Sequence, residues 1–240
     1  MFEERTYRRQ IKPGDLICYG VVHKETDLFC CTSTDLRDYM KERVLFYRNQ
    51  LETYGQKTPL FLESFVPIRE DRFAPPIAAE MIRASATVGV GPMATVAGAI
   101  AEFLGRDIAG LSEEFIIENG GDIFMKTDKE RLSRVYAGSS PFSGRIGLKL
   151  KPRRSPFGLC TSSGTVGHSV SFGRADAVTV LADSSMLGDG VATYLGNIVK
   201  KSEDITRAIE RGRSFPGVRG LLVIMGNQLG SWGEIEIVKV

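Results

Sequence analysis

The sequence is poor in the residues that would reveal a chemistry directly. Its 240 residues include only two histidines, one tryptophan and four cysteines. The cysteines form no C-x-x-C pair, so neither a zinc knuckle nor a disulfide framework is indicated, and we expect reduced, mostly buried thiols. With 31 Lys and Arg against 29 Asp and Glu, the net charge is +2. Such a small net charge creates no electrostatic field that would favour binding of nucleic acid or of an anionic membrane. We therefore expect a small-molecule ligand or a protein partner, including a second copy of the chain.

Long apolar runs are also absent. No run approaches the ~20 residues of a membrane-spanning helix, and the charged first ten residues contain no apolar signal-peptide region. These absences predict a cytoplasmic protein without membrane contact. The basic run "KPRRSP" at 151–156 lacks interleaved aromatic residues, so we interpret it as a solvated connection and not as a phosphate contact.

Helical and extended patterns are interspersed along the chain, and its length suits one compound domain over residues 1–240. Strand patterns occur in "LICYGVVHKETDLFCCTS", "EFIIEN", "DIFMKT", "RVYAGSSPF", "RIGLKLK", "ADAVTVLA", "VRGLLVIMGN" and "GEIEIVKV". The predicted helices run from Thr34 or Asp35 to Gly55, from Pro75 or Pro76, from Ala94 to Leu104, from Ser184 or Ser185, and through "SEDITRAIERG". Because several strands follow each other directly, the expected fold class is α+β, with mixed or antiparallel sheets packed with helices.

Four clusters of small residues interrupt these elements: "GVGP", "ENGGD", "CTSSGTVGHS" and "LGDGVAT". Glycine lets backbone N–H groups approach a phosphate closely, and Ser and Thr add hydroxyl donors. Each cluster alone is an ordinary turn, but their number favours a ligand cleft. "GVGPMA" lacks the preceding strand and the third glycine of a dinucleotide-binding motif, and no G-x-S-x-G elbow occurs. A Rossmann site is therefore disfavoured, and a hydrolytic triad is poorly supported.

Few side chains are candidates for chemistry. Asp189 and Thr193 are spaced i, i+4, which puts both on one helical face where their oxygens could bind Mg²⁺. The alternative is a surface Asp beside a Thr that bonds back to its own helix. His168 lies in a polar loop and is a candidate ligand or acid/base group, or a loop hydrogen-bonding residue. Cys160 is a weaker candidate nucleophile, because it would need exposure and a lowered pKa.

The order of the motifs carries more information than any one of them. "VGVGPMATVAGAIAEFLG", "ENGGDIF", "TSSGTVGHS" and "DAVTVLADSSMLGDGVATYLGN" follow one another between about residues 88 and 200. This series resembles the ApbE superfamily of FAD-dependent, Mg²⁺-requiring flavin transferases and flavin binders. Over nearly its whole length the chain also looks like a family of cytoplasmic ApbE-like proteins, and that resemblance implies the fold without implying a particular reaction.

The resemblance implies roles for individual residues. The Ala94 carbonyl, Asp189 and Thr193 would bind the metal, and Asp122 or His168 would be the general base. The residues implied at the flavin or nucleotide are Gly120, Gly121, Thr161, Ser162, Ser163, Gly164 and Thr165.

Two departures from the transferase pattern affect the expected activity. Thr95 stands where the transferases usually carry Lys, and their H-x-x-D-P-x-T-G segment is absent. Groups that position the transferred flavin phosphate would then be missing. The expected function is binding of FAD or a related nucleotide with Mg²⁺ in a Gly/Ser/Thr-rich cleft, with FMN transfer from FAD as the implied reaction. The alternatives are a non-catalytic flavin- or nucleotide-binding protein and an oligomeric scaffold.

Overall fold

The computed structural model describes residues 16–165 and 172–240. Its central feature is an eight-stranded sheet in which every neighbouring pair is antiparallel. Across the sheet the strands are β1 (Ile17–His23), β2 (Thr26–Thr32), β3 (Phe115–Asn119), β4 (Asp122–Thr127), β7 (Arg153–Ser162), β8 (Ala177–Ala182), β9 (Val218–Met225) and β10 (Gln228–Gly233). The antiparallel pairing confirms the α+β fold class and excludes a doubly wound parallel sheet.

Helices cover one face of this sheet. They are α1 (Arg37–Lys57), α2 (Pro59–Glu63), α3 (Pro76–Val88), α4 (Val96–Ile108), α5 (Ser185–Ile198) and α6 (Asp204–Gly212), with a 3₁₀ turn at Pro92–Thr95 before α4. The longer helices pack through apolar stripes; in α1 the buried residues include Met40, Val44 and Leu51. The sheet is built from two successive β-β-helices-β-β units, β1 to β4 and β7 to β10, so helices follow the second strand of each unit.

A second, three-stranded sheet covers the opposite face. It consists of β5 (Arg131–Arg134), β6 (Ile146–Leu150) and β11 (Glu236–Lys239), in the order β11-β6-β5. Leu148 and Leu150 of this sheet pack with Phe157 and Leu159 of β7 in one buried cluster. The helices, the large sheet and the small sheet thus form three layers, and the alternating side chains of β7 face the two outer layers in turn.

Three strand predictions were wrong in position or missing. The strand expected in "RVYAGSSPF" lies earlier, at Arg131–Arg134, because only there does the backbone pair with β6. β10 was missed, since "QLGSWG" has two glycines and no apolar alternation, and pairing with β9 forms it. β7 begins at Arg153, so the last four residues of "KPRRSP" are strand and not connection; its exposed side chains do face solvent as expected.

The prediction of four reduced thiols was also wrong. Cys18 of β1 and Cys31 of β2 lie directly opposite each other in the hairpin and form a disulfide. Sequence spacing missed this bond because only the strand register brings the two side chains together. Cys30 and Cys160 form no disulfide and are buried, as expected.

Most helix boundaries agree with the sequence patterns. α5 begins after Ser184, whose hydroxyl accepts the Leu187 N–H, and α3 begins at Pro76. α1 begins two residues later than expected, with Asp35 accepting the Arg37 N–H. Among the described residues no single helix is long and apolar enough to cross a membrane. The bent pair Pro76–Val88 and Pro92–Ile108 has the length and composition of a membrane span only when both helices are taken together. Many residues of that pair belong to the hydrophobic core. The single-domain interpretation stays a prediction.

Candidate functional site

The "ENGGD" motif forms the tight turn of the β3–β4 hairpin. Gly120 and Gly121 have φ of 67° and 108°, a left-handed region that glycine adopts without strain. Glu118 Oε1 accepts the Gly121 N–H at 2.9 Å and holds the turn. Asp122 follows as the first residue of β4, directly opposite Cys160 of β7. The turn therefore places a carboxyl group at the centre of the sheet, on the face covered by helices.

Helices α4 and α5 cross above this point at very short range. A Cβ on Gly98 of α4 would lie 2.2 Å from the Ser185 carbonyl oxygen, so only glycine permits the crossing. Each helix start then receives a carboxylate from the other helix. Asp189 of α5 accepts the Gly98 N–H at 2.9 Å, and Glu102 of α4 accepts the Met186 N–H at 3.1 Å. Both bonds satisfy N–H groups that a helix start leaves unpaired.

Asp122 and Asp189 form a buried carboxylate pair at this crossing. Burial raises the pKa of Asp189 to about 7, although the Gly98 and Ala97 N–H groups oppose the change. Burial, and then the charge of Asp189, raise the pKa of Asp122 well above its ordinary value. Asp122 Oδ1 is buried without a hydrogen-bond partner, and in residues 16–165 and 172–240 no Lys or Arg pairs with either carboxylate. The pair lacks the positive charge that buried carboxylates require.

Cys160 lies beside this pair but does not suit nucleophilic chemistry. Its thiol is fully buried and donates to the Ser185 carbonyl oxygen at 3.1 Å. Burial and the neighbouring Asp122 raise the pKa of the thiol well above its ordinary value. Because the thiolate is the reactive form, this environment makes Cys160 a packing residue.

The elements carrying the three predicted metal ligands meet at one place. Thr193 lies one helical turn beyond Asp189 on α5 and is half-buried, and Ala94 is half-buried in the 3₁₀ turn packed against the same cluster as α5. Gly190 permits this contact, since a Cβ there would lie 3.1 Å from the Thr95 methyl group. Asp189 is buried, so it is not the surface carboxylate of the alternative interpretation. One of its oxygens is already used to cap α4 through the Gly98 N–H. Its assignment as a metal ligand stays a prediction.

The residues of the "TSSGT" segment divide between both faces of the sheet. Thr161 points away from the helices and bonds the Thr179 hydroxyl at 2.9 Å, whereas Ser162 lies 3.5 Å from the position of a Cβ on Gly196 of α5. Ser163 Oγ accepts the Thr165 N–H, and the Gly164 N–H is donated to the Ala175 carbonyl. Several implied ligand groups are thus engaged within the chain. His168 lies outside the described residues.

Other parts of the described chain offer no comparable group of side chains. Within the part of the chain that the structure describes, no three His, Cys, Asp or Glu residues are grouped as a metal cluster. A concave surface of about 160 Å³ lies between β6, β7 and β11, but its Lys149 and Arg153 are paired with Glu236 and Glu234. A shallower one of about 370 Å³ lies between α6 and β10. Neither contains unneutralised buried charge.

Two site residues escaped the sequence reasoning. Glu102 is buried and also accepts the Ser184 hydroxyl at 2.6 Å and Arg106 at 2.5 Å. Asn119 donates from Nδ2 to the Ala97 carbonyl at 3.2 Å, which fixes the hairpin against the start of α4. For Glu102 the sequence did offer a signal, because it is the one acidic residue within the Ala- and Gly-rich stretch "VAGAIAEFLG".

An antiparallel sheet layered with helices in this order is the fold of an ApbE-like protein. The family model described as "AbpE bacteria" matches residues 8–218, and the chain belongs to this family. A UPF0280 protein of Methanocaldococcus jannaschii is 40% identical over 228 residues, covering 91% of this chain and 92% of the relative. A UPF0280 protein of Methanococcus aeolicus is 40% identical over 205 residues, covering 83% of each chain.

Solved structures agree on the fold. The apo flavinyl transferase ApbE of Pseudomonas stutzeri superposes with a TM-score of 0.59 at 12% identity, over 93% of this chain and 94% of that one. The ApbE protein of Thermotoga maritima gives a TM-score of 0.58 at 11% identity, over 90% and 96%. At such identities these likenesses establish the ApbE fold alone.

Proposed function

We propose that this protein binds a flavin nucleotide, FAD or a close relative, together with a divalent cation held at the Asp122–Asp189 pair. The observation that carries the proposal is the unpartnered Asp122 Oδ1 in a buried site with two carboxyl groups, neither of which is paired with a Lys or Arg among the described residues. A hard cation with oxygen ligands would neutralise this site. The flavin transferases named by the solved structures supply the nucleotide class.

The donors present fit Mg²⁺. Asp189, Thr193 and the Ala94 carbonyl would contribute oxygens from the helix crossing, and Asp122 would add its unpartnered Oδ1. Mg²⁺ prefers oxygen ligands and commonly completes its shell with water and substrate phosphates. When bound, the cation supplies polarisation of phosphoryl oxygens and neutralisation of the leaving group.

The chain's own residues would orient the nucleotide. The positive-φ turn at Gly120 and Gly121 adds no side chains immediately before Asp122. Ser162 lies on the same face of β7 as Cys160, toward α5, and presents a hydroxyl there. In the ionised form Asp122 is the candidate base for an acceptor hydroxyl.

The test is a titration with FAD, with and without Mg²⁺, followed by flavin fluorescence. We expect Mg²⁺ to tighten binding to the native protein, and Asp189→Asn to abolish this effect, because the amide keeps the bond to the Gly98 N–H but lacks the charge. Asp38→Asn, at a surface carboxylate that is 92% exposed, is the matched control and should behave as native. Equal, metal-independent binding by native protein and Asp189→Asn would refute the cation assignment.

A specific observation favours binding without transfer as the second candidate. Thr95, at the position where the transferases usually carry Lys, is fully buried and donates its hydroxyl to the Pro92 carbonyl at 2.8 Å. It therefore offers no cation to a phosphate. Incubation with FAD and acceptor proteins, followed by mass spectrometry for covalent flavin and released AMP, separates the two candidates. Product formation supports transfer; FAD binding without product supports storage or delivery of the nucleotide.

A further inference from the structure

Two exposed phenylalanines touch each other near the C-terminal end of α5. Phe65 and Phe172 are 65% and 54% exposed, and their ring centroids are 5.3 Å apart in an edge-to-face arrangement. Large apolar side chains that cluster on a surface commonly mark a binding site. The two residues come from distant parts of the chain, so the contact is made by the tertiary fold.

Close backbone contacts hold both rings in place. A Cβ on Gly91 would lie 1.7 Å from the Ser64 carbonyl oxygen, so the segment before Phe65 lies directly against the turn that leads to Ala94. On the other side, the Phe172 N–H is donated to Asn197 Oδ1 at 2.9 Å. A Cβ on the next residue, Gly173, would lie 1.7 Å from the Gly196 carbonyl oxygen. The aromatic pair is therefore anchored on one side at the turn before α4 and on the other at the C-terminal end of α5.

α5 connects this pair to the carboxylates. Asp189, Thr193 and Asn197 follow one another at i, i+4 and i+8, and therefore along one side of the helix. Asp189 is buried, whereas Thr193 and Asn197 are half-buried, so the row runs from the interior to the surface. At about 1.5 Å per residue, Asn197 is ~12 Å along the axis from Asp189. The phenylalanine pair stands at the outer end of this row.

We propose that Phe65 and Phe172 form the binding surface for the isoalloxazine ring of the flavin, and this proposal rests on the proposed function. With the phosphates at the Asp122–Asp189 pair, a ring carried on a ribityl chain reaches the mouth of the site. A broad, flat, apolar ring packs favourably on exposed aromatic faces. Such a surface would make the protein selective for the flavin half of FAD over its adenosine half.

The experiment compares FAD, FMN and ADP, each with Mg²⁺, on native protein and on Phe65→Ala and Phe172→Ala. Stacking should quench flavin fluorescence, and each substitution should weaken FAD and FMN binding roughly 5- to 150-fold, the range of one ring–aromatic contact. ADP binding should change less than twofold. Phe73→Ala is the matched control, since Phe73 is 80% exposed and its ring lies under the Arg72 guanidinium instead. Because both rings are exposed, thermal unfolding of all three variants should match native protein.

The outcomes separate this inference from the proposed function. If native protein binds FAD and both substitutions leave its affinity unchanged, the ring assignment is wrong while nucleotide binding stands. An equal loss of ADP affinity would place the adenine at the pair and also overturn the inference. If native protein binds neither FAD nor FMN, both proposals fail.

Discussion

Replacing Asp189 by Asn should stabilise the metal-free protein at high pH. The pKa of Asp189 is raised from 3.8 to about 7 in the folded state. The folded state therefore binds more protons than the unfolded chain between these values, and the free energy of unfolding falls as pH rises through this range. At about 1.4 kcal/mol per pKa unit, the ionised, buried Asp189 costs roughly 4 kcal/mol above pH 7.

The asparagine has no such titration and can still accept the Gly98 N–H. The unfolding free energy of Asp189→Asn minus that of native protein should therefore have its lowest value, near or below zero, at pH 4. It should rise by about 4 kcal/mol by pH 8 and then level off. Urea unfolding in EDTA at several pH values, followed by the fluorescence of the single tryptophan, Trp232, measures this difference. Adding Mg²⁺ at pH 8 should stabilise native protein but not the variant.

The rival role of Asp189 predicts the opposite sign. If its charge serves mainly to cap α4, ionised Asp189 stabilises the helix by up to ~2 kcal/mol. Asp189→Asn would then be less stable than native protein at pH 8, with or without Mg²⁺. That result would refute the carboxylate-pair reasoning. Asp38→Asn, at an exposed carboxylate, should show no pH-dependent difference of this size.

Three further predictions test the surrounding structure. Glu102→Ala should lower the unfolding free energy by about 2–4 kcal/mol in urea titrations, because it leaves the buried donors at the start of α5 unpaired; a loss below 1 kcal/mol would contradict this. Gly98→Ala should destabilise strongly by thermal unfolding, because its Cβ would meet backbone at 2.2 Å, whereas Gly110→Ala has open space and should not. Reducing the Cys18–Cys31 disulfide should cost roughly 3 kcal/mol, as for a loop of about 15 residues; an unchanged Tm in reductant would show that the bond is not formed in solution.

Sequence patterns predicted most regular elements for identifiable reasons. The N-terminal starts of α3 and α5 follow from Pro76 and Ser184, which act locally on the backbone. The paired glycines likewise require a tight turn, although periodicity alone did not distinguish a hairpin from a bulged strand. β10 was not predictable, because a strand without apolar alternation is formed by its neighbour.

The candidate site was predictable only in part. Asp122, Asp189 and the Ala94 turn were identified from motifs, but spacing suggested a surface position for Asp189. Burial by the α4–α5 crossing gives this carboxylate its raised pKa and its contact with the charge of Asp122. Glu102 was missed because its capping partners lie more than 80 residues away in the sequence.

By itself the sequence determined the α+β class, the positions of most helices and the small-residue motifs, because these depend on local periodicity and backbone freedom. The tertiary structure decided which of those motifs meet. It paired Cys18 with Cys31, buried the carboxyl groups of Asp122 and Asp189 near each other, and joined Phe65 to Phe172 at the outer end of α5. Such juxtapositions arise from strand register and helix crossing over long sequence separations, which no local pattern encodes.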